Sequence, residues 1–307
     1  MGEIKKVAIL GAGAMGAFFA SRFLEREGFW TTVVAGGERR ERLERDGLVV
    51  NGKRYDVSVT SPDEEVEAAD LIIVAVKHYH LPDGVHDLGN LVGEGTTILS
   101  VMNGLDSEEI LGAAYGMDKV LYAVSVGIDA QRKGNEITYT KPGKHYFGEA
   151  TNQEISTQVR RVQAAFERAG ILYEIPPDMI RILWWKFMIN VGMNQASAVM
   201  RAPYGMFVTS ADARALMEAL MAEVIELAGA AGVNLTWADI DDWYAVLPTL
   251  AAQGRTSMLQ DIEAGRKTEV EMFGGTVVAL GEKHGVHTPM NQAVSWIIRV
   301  VEQRGWG

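Results

Sequence analysis

The hydrophobic positions of this chain change character past its middle. Up to about residue 175 they come as short apolar runs bounded by glycine, proline and charge; beyond it they recur at helical spacing. Residues 6–10, 31–35, 70–77 and 96–102 are Val/Ile/Leu-rich runs of the kind that parallel strands covered on both faces require. A helical stretch, 17–24, follows the first run, and 38–46 reads as the charged outer face of a crossover helix. Residues 120–125, 136–140 and 144–147 predict further strands, with a turn at Lys133-Gly134-Asn135. A helix over about 153–169 and a short strand over 171–174 close this half, and Pro176-Pro177 forbids continuation. Asp178 then caps an opening helix, and Ser210 caps another over 211–230 with Gly232 past its end. Helical runs follow at about 238–252, 257–264, 270–284 and 290–302. The pattern predicts an α/β fold: an N-terminal Rossmann-type parallel-sheet domain (1–175) followed by an all-helical C-terminal domain (176–307), with the ligand cleft between them.

Composition narrows the function classes. The 307 residues suit two domains. No cysteine is present, which removes disulfides, thiolate metal sites and a cysteine nucleophile. A net charge of −11 argues against nucleic acid and anionic membranes, so an anionic ligand needs a local cluster of cations or helix N-termini. The N-terminus lacks the form of a signal peptide, and no apolar run spans a membrane, so the expectation is a cytoplasmic protein.

The first run leads straight into Gly11-Ala12-Gly13-Ala14-Met15-Gly16 and then a helix. Strand, G-x-G-x-x-G, helix is the dinucleotide fingerprint. The glycines permit a tight turn, close approach of a pyrophosphate and close helix–strand packing, and the helix N-terminus offers N–H groups to phosphate. The second strand ends in Ala35-Gly36-Gly37 with no acid for a ribose 2′-hydroxyl, and Arg39 and Arg40 follow. That favours NADP(H), with NAD(H) as the alternative. Lys77 and Asn103 stand at the carboxyl ends of two parallel strands, where ligands of open α/β sheets bind. His78 and His80 have no further ligand set to make a metal site.

Lys186, Asn190 and Asn194 recur every four residues, and so share one face of a helix otherwise made of Trp, Phe, Met, Ile and Val. A lysine among apolar groups is costly unless its charge or proton is used; the structural alternative is a snorkelling lysine with asparagines tying helices together. Ser257-Met258-Leu259-Gln260 matches a capping box, and its free N–H groups and hydroxyl, with Arg255 beside them, could dock a carboxylate. Glu269 falls just before the next helix.

On these segments, with Val76-Lys77, Asn103-Gly104, Trp185-Lys186 and Thr268-Glu269, the chain resembles the ketopantoate reductase (2-dehydropantoate 2-reductase) family over essentially its full length. The resemblance implies NADPH-dependent reduction of 2-dehydropantoate to (R)-pantoate, a step of pantothenate biosynthesis. It implies Lys186 as proton donor, Asn190 and Asn194 as substrate anchors, Ser257 as a further substrate contact, and Glu269 beside the lysine and the cofactor. Lys77 and Asn103 would lie by the nicotinamide ribose. A carboxylate near a buried lysine favours its charged form, and Glu269 is the expected partner. The chain departs from the family pattern at Gly36, where Arg is common nearby, and at Met102, where Gln is usual. It also carries Tyr204-Gly205 in place of Asn-Gly, and Gly254 in place of Asn. Tyr204 and Gly254 are both expected to touch substrate. The competing readings are a reductase of another 2-oxo acid and a non-catalytic NADP-binding protein; a homodimer is an open alternative.

Overall fold

A computed structural model describes residues 2–303. The chain divides into two compact units, Met1–Ile182 and Leu183–Gly307.

The first unit is built on an eight-stranded sheet. Its strands are β1 (Lys6–Leu10), β2 (Trp30–Val34), β5 (Ser58–Thr60), β6 (Leu71–Val74), β7 (Thr97–Ser100), β8 (Val120–Ile128), β11 (Pro142–Gly148) and β12 (Tyr173–Glu174), in the order β12-β11-β8-β7-β6-β1-β2-β5. All neighbours are parallel except β8 and β11. Helices α1 (Ala14–Leu24), α2 (Gly37–Asp46), α3 (Leu81–Asp87), α4 (Ser107–Tyr115) and α5 (Thr157–Ala169) make the crossovers.

Strand alternation explains why the runs are apolar throughout. Val7 and Ile9 of β1 join one core cluster with Phe18, Phe19 and Phe23 of α1; Ala8 and Leu10 join the other, with Leu81 of α3 and Leu111 of α4. Ile73 and Ile72 of β6 divide the same way. Both faces of the central strands β1, β6 and β7 are therefore buried, and their residues contribute from either side, at about 1.5–3 kcal/mol for a fully buried large side chain.

A second sheet, order β4-β3-β10-β9, joins β3 (Leu48–Val50), β4 (Lys53–Tyr55), β9 (Gln131–Lys133) and β10 (Glu136–Thr138). The expected glycine turn closes its β9–β10 hairpin, with Gly134 at φ 63°. The pairing of β3 with β10 lies beyond any local pattern.

The prolines at 176–177, expected to end the first domain, remain tied to it. Asn152 donates from its backbone to the Pro177 carbonyl (2.9 Å) and from its side chain to that of Pro176 (2.8 Å), and the Met179 N–H donates to Ala150 (3.0 Å). Proline lacks the donor, not the acceptor. The division between units therefore falls at 182/183, seven residues past the expected one and inside α6 (Met179–Met200). Asp178 caps α6 as expected, accepting the Arg181 N–H at 2.9 Å.

The second unit is helical: the rest of α6, α7 (Tyr204–Thr209), α8 (Ala211–Ala230), α9 (Trp237–Val246), α10 (Ser257–Glu263), α11 (Thr276–His284) and α12 (Pro289–Gln303). A π-helical turn, Glu271–Gly275, precedes α11 where an unbroken helix was expected. From Phe187 to Ala198 every residue of α6 is buried, the polar Asn190, Asn194, Gln195 and Ser197 among them. Gly192 admits α8: a Cβ there would stand 2.5 Å from Met221 Cγ. A buried polar chain fixes the helix further. Gln195 donates to Asn291 (2.8 Å), whose amide donates to Glu223 (2.7 Å), linking α6, α12 and α8. Among the described residues no helix is long and apolar enough to cross a membrane.

Candidate active site

In the first unit the site begins at the β1–α1 turn. Gly11 takes φ 98°, and a Cβ there would stand 2.6 Å from the Ala75 carbonyl oxygen. A Cβ on Gly16 would lie 1.7 Å from the Gly11 carbonyl oxygen, so only glycine lets α1 sit this close to β1. Gly13 differs. It is the N-cap of α1, no side chain caps that end, and nothing lies within 4 Å of where its Cβ would be. Two glycines are thus demanded by packing, and the third leaves open space beside the N–H groups of Ala14, Met15 and Gly16. That arrangement fits a pyrophosphate. Ala12 lies between the first two glycines and packs on the core cluster that holds α1.

At the end of β2 the two arginines separate. Arg40 is engaged by Glu44 (2.7 Å) and Glu64 (2.5 Å). Arg39 lines a cavity of about 290 Å³ with Gly36, His80, Asp83 and Asp87. Asp87 has a raised pKa, first from burial and then from neighbouring Asp83, with Arg39 opposing. Sequence alone could not separate adjacent arginines; the positions of Glu44 and Glu64 do so. Lys77 and Asn103 follow β6 and β7 and are partly buried, Asn103 next to Gly104 at φ 106°. The two loops are tied together by His78 Nε2 and Asp106 at 2.9 Å.

In the second unit the stripe on α6 is present. Asn190 and Asn194 are buried, at 7% and 6% exposure. Lys186 is partly buried, and burial lowers its ammonium from the ordinary 10.5 to about 8. Burial governs that value. Helix geometry separates successive members of the stripe by about 6 Å along the axis. Glu269 is buried two residues before the π-helical turn, and its carbonyl accepts the Phe273 N–H at 3.0 Å.

The far end of the stripe is closed by Ser197. Its hydroxyl donates to the Ala202 carbonyl (2.7 Å) and accepts from Thr256 (3.2 Å). Thr256, not Ser257, caps α10: its side chain accepts the Leu259 N–H. The cap thus falls one residue before the expected one and the expected box is not formed, because Thr256 has the extended φ/ψ of a cap, Ser257 already belongs to the helix, and Leu259 stands at the third helical position. Ser257 is exposed in the first turn, with its hydroxyl unneeded as a cap. Arg255 points to Glu263, with which it pairs at 3.2 Å. Tyr204 is partly buried, burial pushes its phenol up to about 12, and its ring lies against Gly254. Ser197 and Thr256 were not singled out from the sequence. Ser197 sits three residues past Asn194, and that spacing was the available signal.

A partly buried ammonium and two buried amides on one helix face can bind and protonate a carbonyl oxygen. The glycine turn can hold a dinucleotide.

The family model described as ketopantoate reductase PanE/ApbA matches residues 7–152, and the one described as its C terminal matches 178–302. A 2-dehydropantoate 2-reductase from Archaeoglobus fulgidus is 28% identical, over 98% of this chain and 99% of its own length. Among solved structures, a PanE/ApbA family ketopantoate reductase from Ralstonia eutropha JMP134 has a TM-score of 0.85 at 24% identity, covering 98% of this chain and 100% of that one. D-Mandelate dehydrogenase, in a ternary structure with NADH and anilino(oxo)acetate, has a TM-score of 0.89 at 21% identity, covering 97% and 99%. Both likenesses are of fold.

Proposed function

The chain belongs to the ketopantoate reductase PanE/ApbA family, and on that premise we propose that it reduces 2-dehydropantoate to (R)-pantoate, a step of pantothenate biosynthesis, with NADPH as reductant. The observation that carries this reading is the Lys186-Asn190-Asn194 stripe, which places an ammonium among buried amides on one face of α6. A reduced nicotinamide, when bound, supplies the hydride. Lys186 donates a hydrogen bond to the ketone oxygen, stabilises the negative charge that grows there, and gives up its proton as the carbonyl becomes a hydroxyl. Its neutral amine is then reprotonated from water. Asn190 and Asn194 hold the substrate by amide hydrogen bonds, and Ser257 adds its hydroxyl. Glu269 contributes negative charge near the cofactor and lysine.

The residues proposed for the cofactor are 11–16, Lys77 and Asn103. Arg39 supports NADPH because it is the arginine that lines the cavity beyond β2; Asp83 and Asp87 in the same cavity keep NADH as the alternative. A second reading, reduction of another 2-oxo acid, is favoured by the Tyr204–Gly254 contact, which differs from the family pattern. Oxidation of NADPH and of NADH by purified protein, followed in parallel with and without 2-dehydropantoate, tests substrate and cofactor together. Ketone-dependent oxidation is expected, faster with NADPH. Its absence with both cofactors would overturn the reading.

A further inference from the structure

Two loops of the first unit leave the sheet side by side. β6 and β7 are parallel neighbours whose final register pair is Val74 with Ser100, and Lys77 and Asn103 each stand three residues past it. The Val101 N–H still donates to the Val74 carbonyl at 2.9 Å. Beyond that bond, side chains bridge the loops. His78, directly after Lys77, and Asp106, three residues after Asn103, meet at 2.9 Å from Nε2 to Oδ2. Gly104, at φ 106°, turns the chain between Asn103 and Asp106.

Asp106 forgoes more ordinary contacts for this bond. It stands at the N-cap of α4, where an aspartate commonly accepts an N–H of its own helix, and its side chain makes no such bond. Its Oδ1 is buried and has no hydrogen bond among the described residues. A buried polar atom left unpaired asks for a reason. A carboxylate serving only its own helix would cap it; this one is turned to the neighbouring loop. Imidazole suits the bond, because an Nε2–H donates from the neutral ring as well as from the charged one.

We propose that His78 and Asp106 form a clasp that fixes the spacing of Lys77 and Asn103, and so aligns the nicotinamide for hydride transfer. Both are positioning residues. The inference rests on the reductase reading above, in which Lys77 and Asn103 bind the cofactor. On that reading the glycine turn holds the pyrophosphate by itself, so loss of the clasp leaves the dinucleotide bound but misaligned. Misplacement of a reacting group by about 1 Å can cost about 10²-fold in rate.

The test compares His78→Ala, Asp106→Ala and the double variant with the wild type, by titration with NADPH and by steady-state reduction of 2-dehydropantoate. Rates are referred to the concentration of NADPH-binding sites, so unfolded protein is not counted as slow enzyme. The two side chains are 31% and 44% exposed, so truncation opens no core cavity. Each single variant is expected to lose about tenfold to 10²-fold in kcat, with the Kd for NADPH within about threefold of the wild type. The double variant is expected to be no slower than the slower single, because two residues that act as one device are not additive. Asp106→Asn, which keeps an acceptor of the same shape, is expected to recover most of the rate. A wild-type kcat in either alanine variant would overturn the inference. So would losses that multiply in the double variant, or a Kd that rises as far as kcat falls, which is the mark of a merely structural role. An Asp106→Asn rate as low as that of Asp106→Ala would overturn it too. If the wild type does not reduce the ketone, the reductase reading falls and the inference with it; a wild type that turns over beside variants that break this pattern overturns the inference alone.

Discussion

Lys186 is the residue at which stability and chemistry oppose each other. Its ammonium is lowered to about 8 by burial. At pH 7 it is charged in both folded and unfolded chains, so the folded state carries the burial cost in full. That cost fades as pH rises from about 8 toward the ordinary 10.5. Lys186→Met should therefore raise the thermal midpoint at pH 7, by a free energy of up to about 3 kcal/mol, while removing the proposed acid. Turnover should follow the opposite sign. A proton donor must be protonated, so the rate of ketone reduction should hold below about pH 8 and fall about tenfold per pH unit above it. Lys186→Ala should lose about 10²–10⁴-fold in kcat with cofactor affinity unchanged. Titration of NADPH by fluorescence beside steady-state rates checks both halves. A variant that kept most of its rate would remove Lys186 as the acid.

Among elements, α4 shows how a loop can be held from beneath. Glu108, in its first turn, is 2% exposed. Ser107 donates to it at 2.8 Å, and Ser100, at the end of β7, is 2.8 Å from Ser107. The Met102 N–H donates to Ser100 at 3.4 Å, so the carboxyl underpins the strand end that carries Asn103. Burial pushes the carboxyl up to about 7, outweighing the hydrogen bonds that favour its ionised form. The folded-state value lies above the unfolded one, near 4.5, so the folded chain holds the proton more tightly. Stability from this group is full below about 4.5 and is lost as pH rises to about 7. Glu108→Gln should unfold at the wild-type urea midpoint at pH 4 and should be the more stable protein at pH 8, by up to about 3 kcal/mol. Equal differences at the two pH values would show that the carboxyl is not charged at a cost.

On the scale of the whole molecule, a net charge of −11 makes an anionic ligand dependent on local devices. The first unit supplies the uncapped N-terminus of α1 and the arginine that its neighbours leave to the cavity, Arg39. Because a ligand that binds only the folded chain stabilises it by mass action, the cofactor can be read from the thermal midpoint without turnover. NADPH should raise that midpoint more than NADH at equal concentration. Arg39→Ala should abolish the difference, and Arg40→Ala should keep it while lowering the ligand-free midpoint slightly, since Arg40 serves Glu44 and Glu64. If Arg40→Ala removed the NADPH advantage, the assignment would pass to the neighbouring residue.

What the sequence determined by itself were features whose physics is local. The glycine demanded at 16 is local, since a Cβ there would meet the Gly11 carbonyl of the same turn. The alternation of sheet and helix, the caps at Asp178 and Ser210, and the four-residue stripe on α6 are set by periodicity and neighbouring backbone. Tertiary structure decided whatever depends on partners distant in the chain. It paired β3 with β10, tied the prolines at 176–177 back to Asn152, assigned the cap of α10 to Thr256, and consumed Arg40 while leaving Arg39 to a cavity. It also joined Tyr204 to Gly254 across fifty residues of chain. Residue type and spacing fix what a side chain can do. Burial and long-range contact, which no local window contains, decide which of those capacities is used.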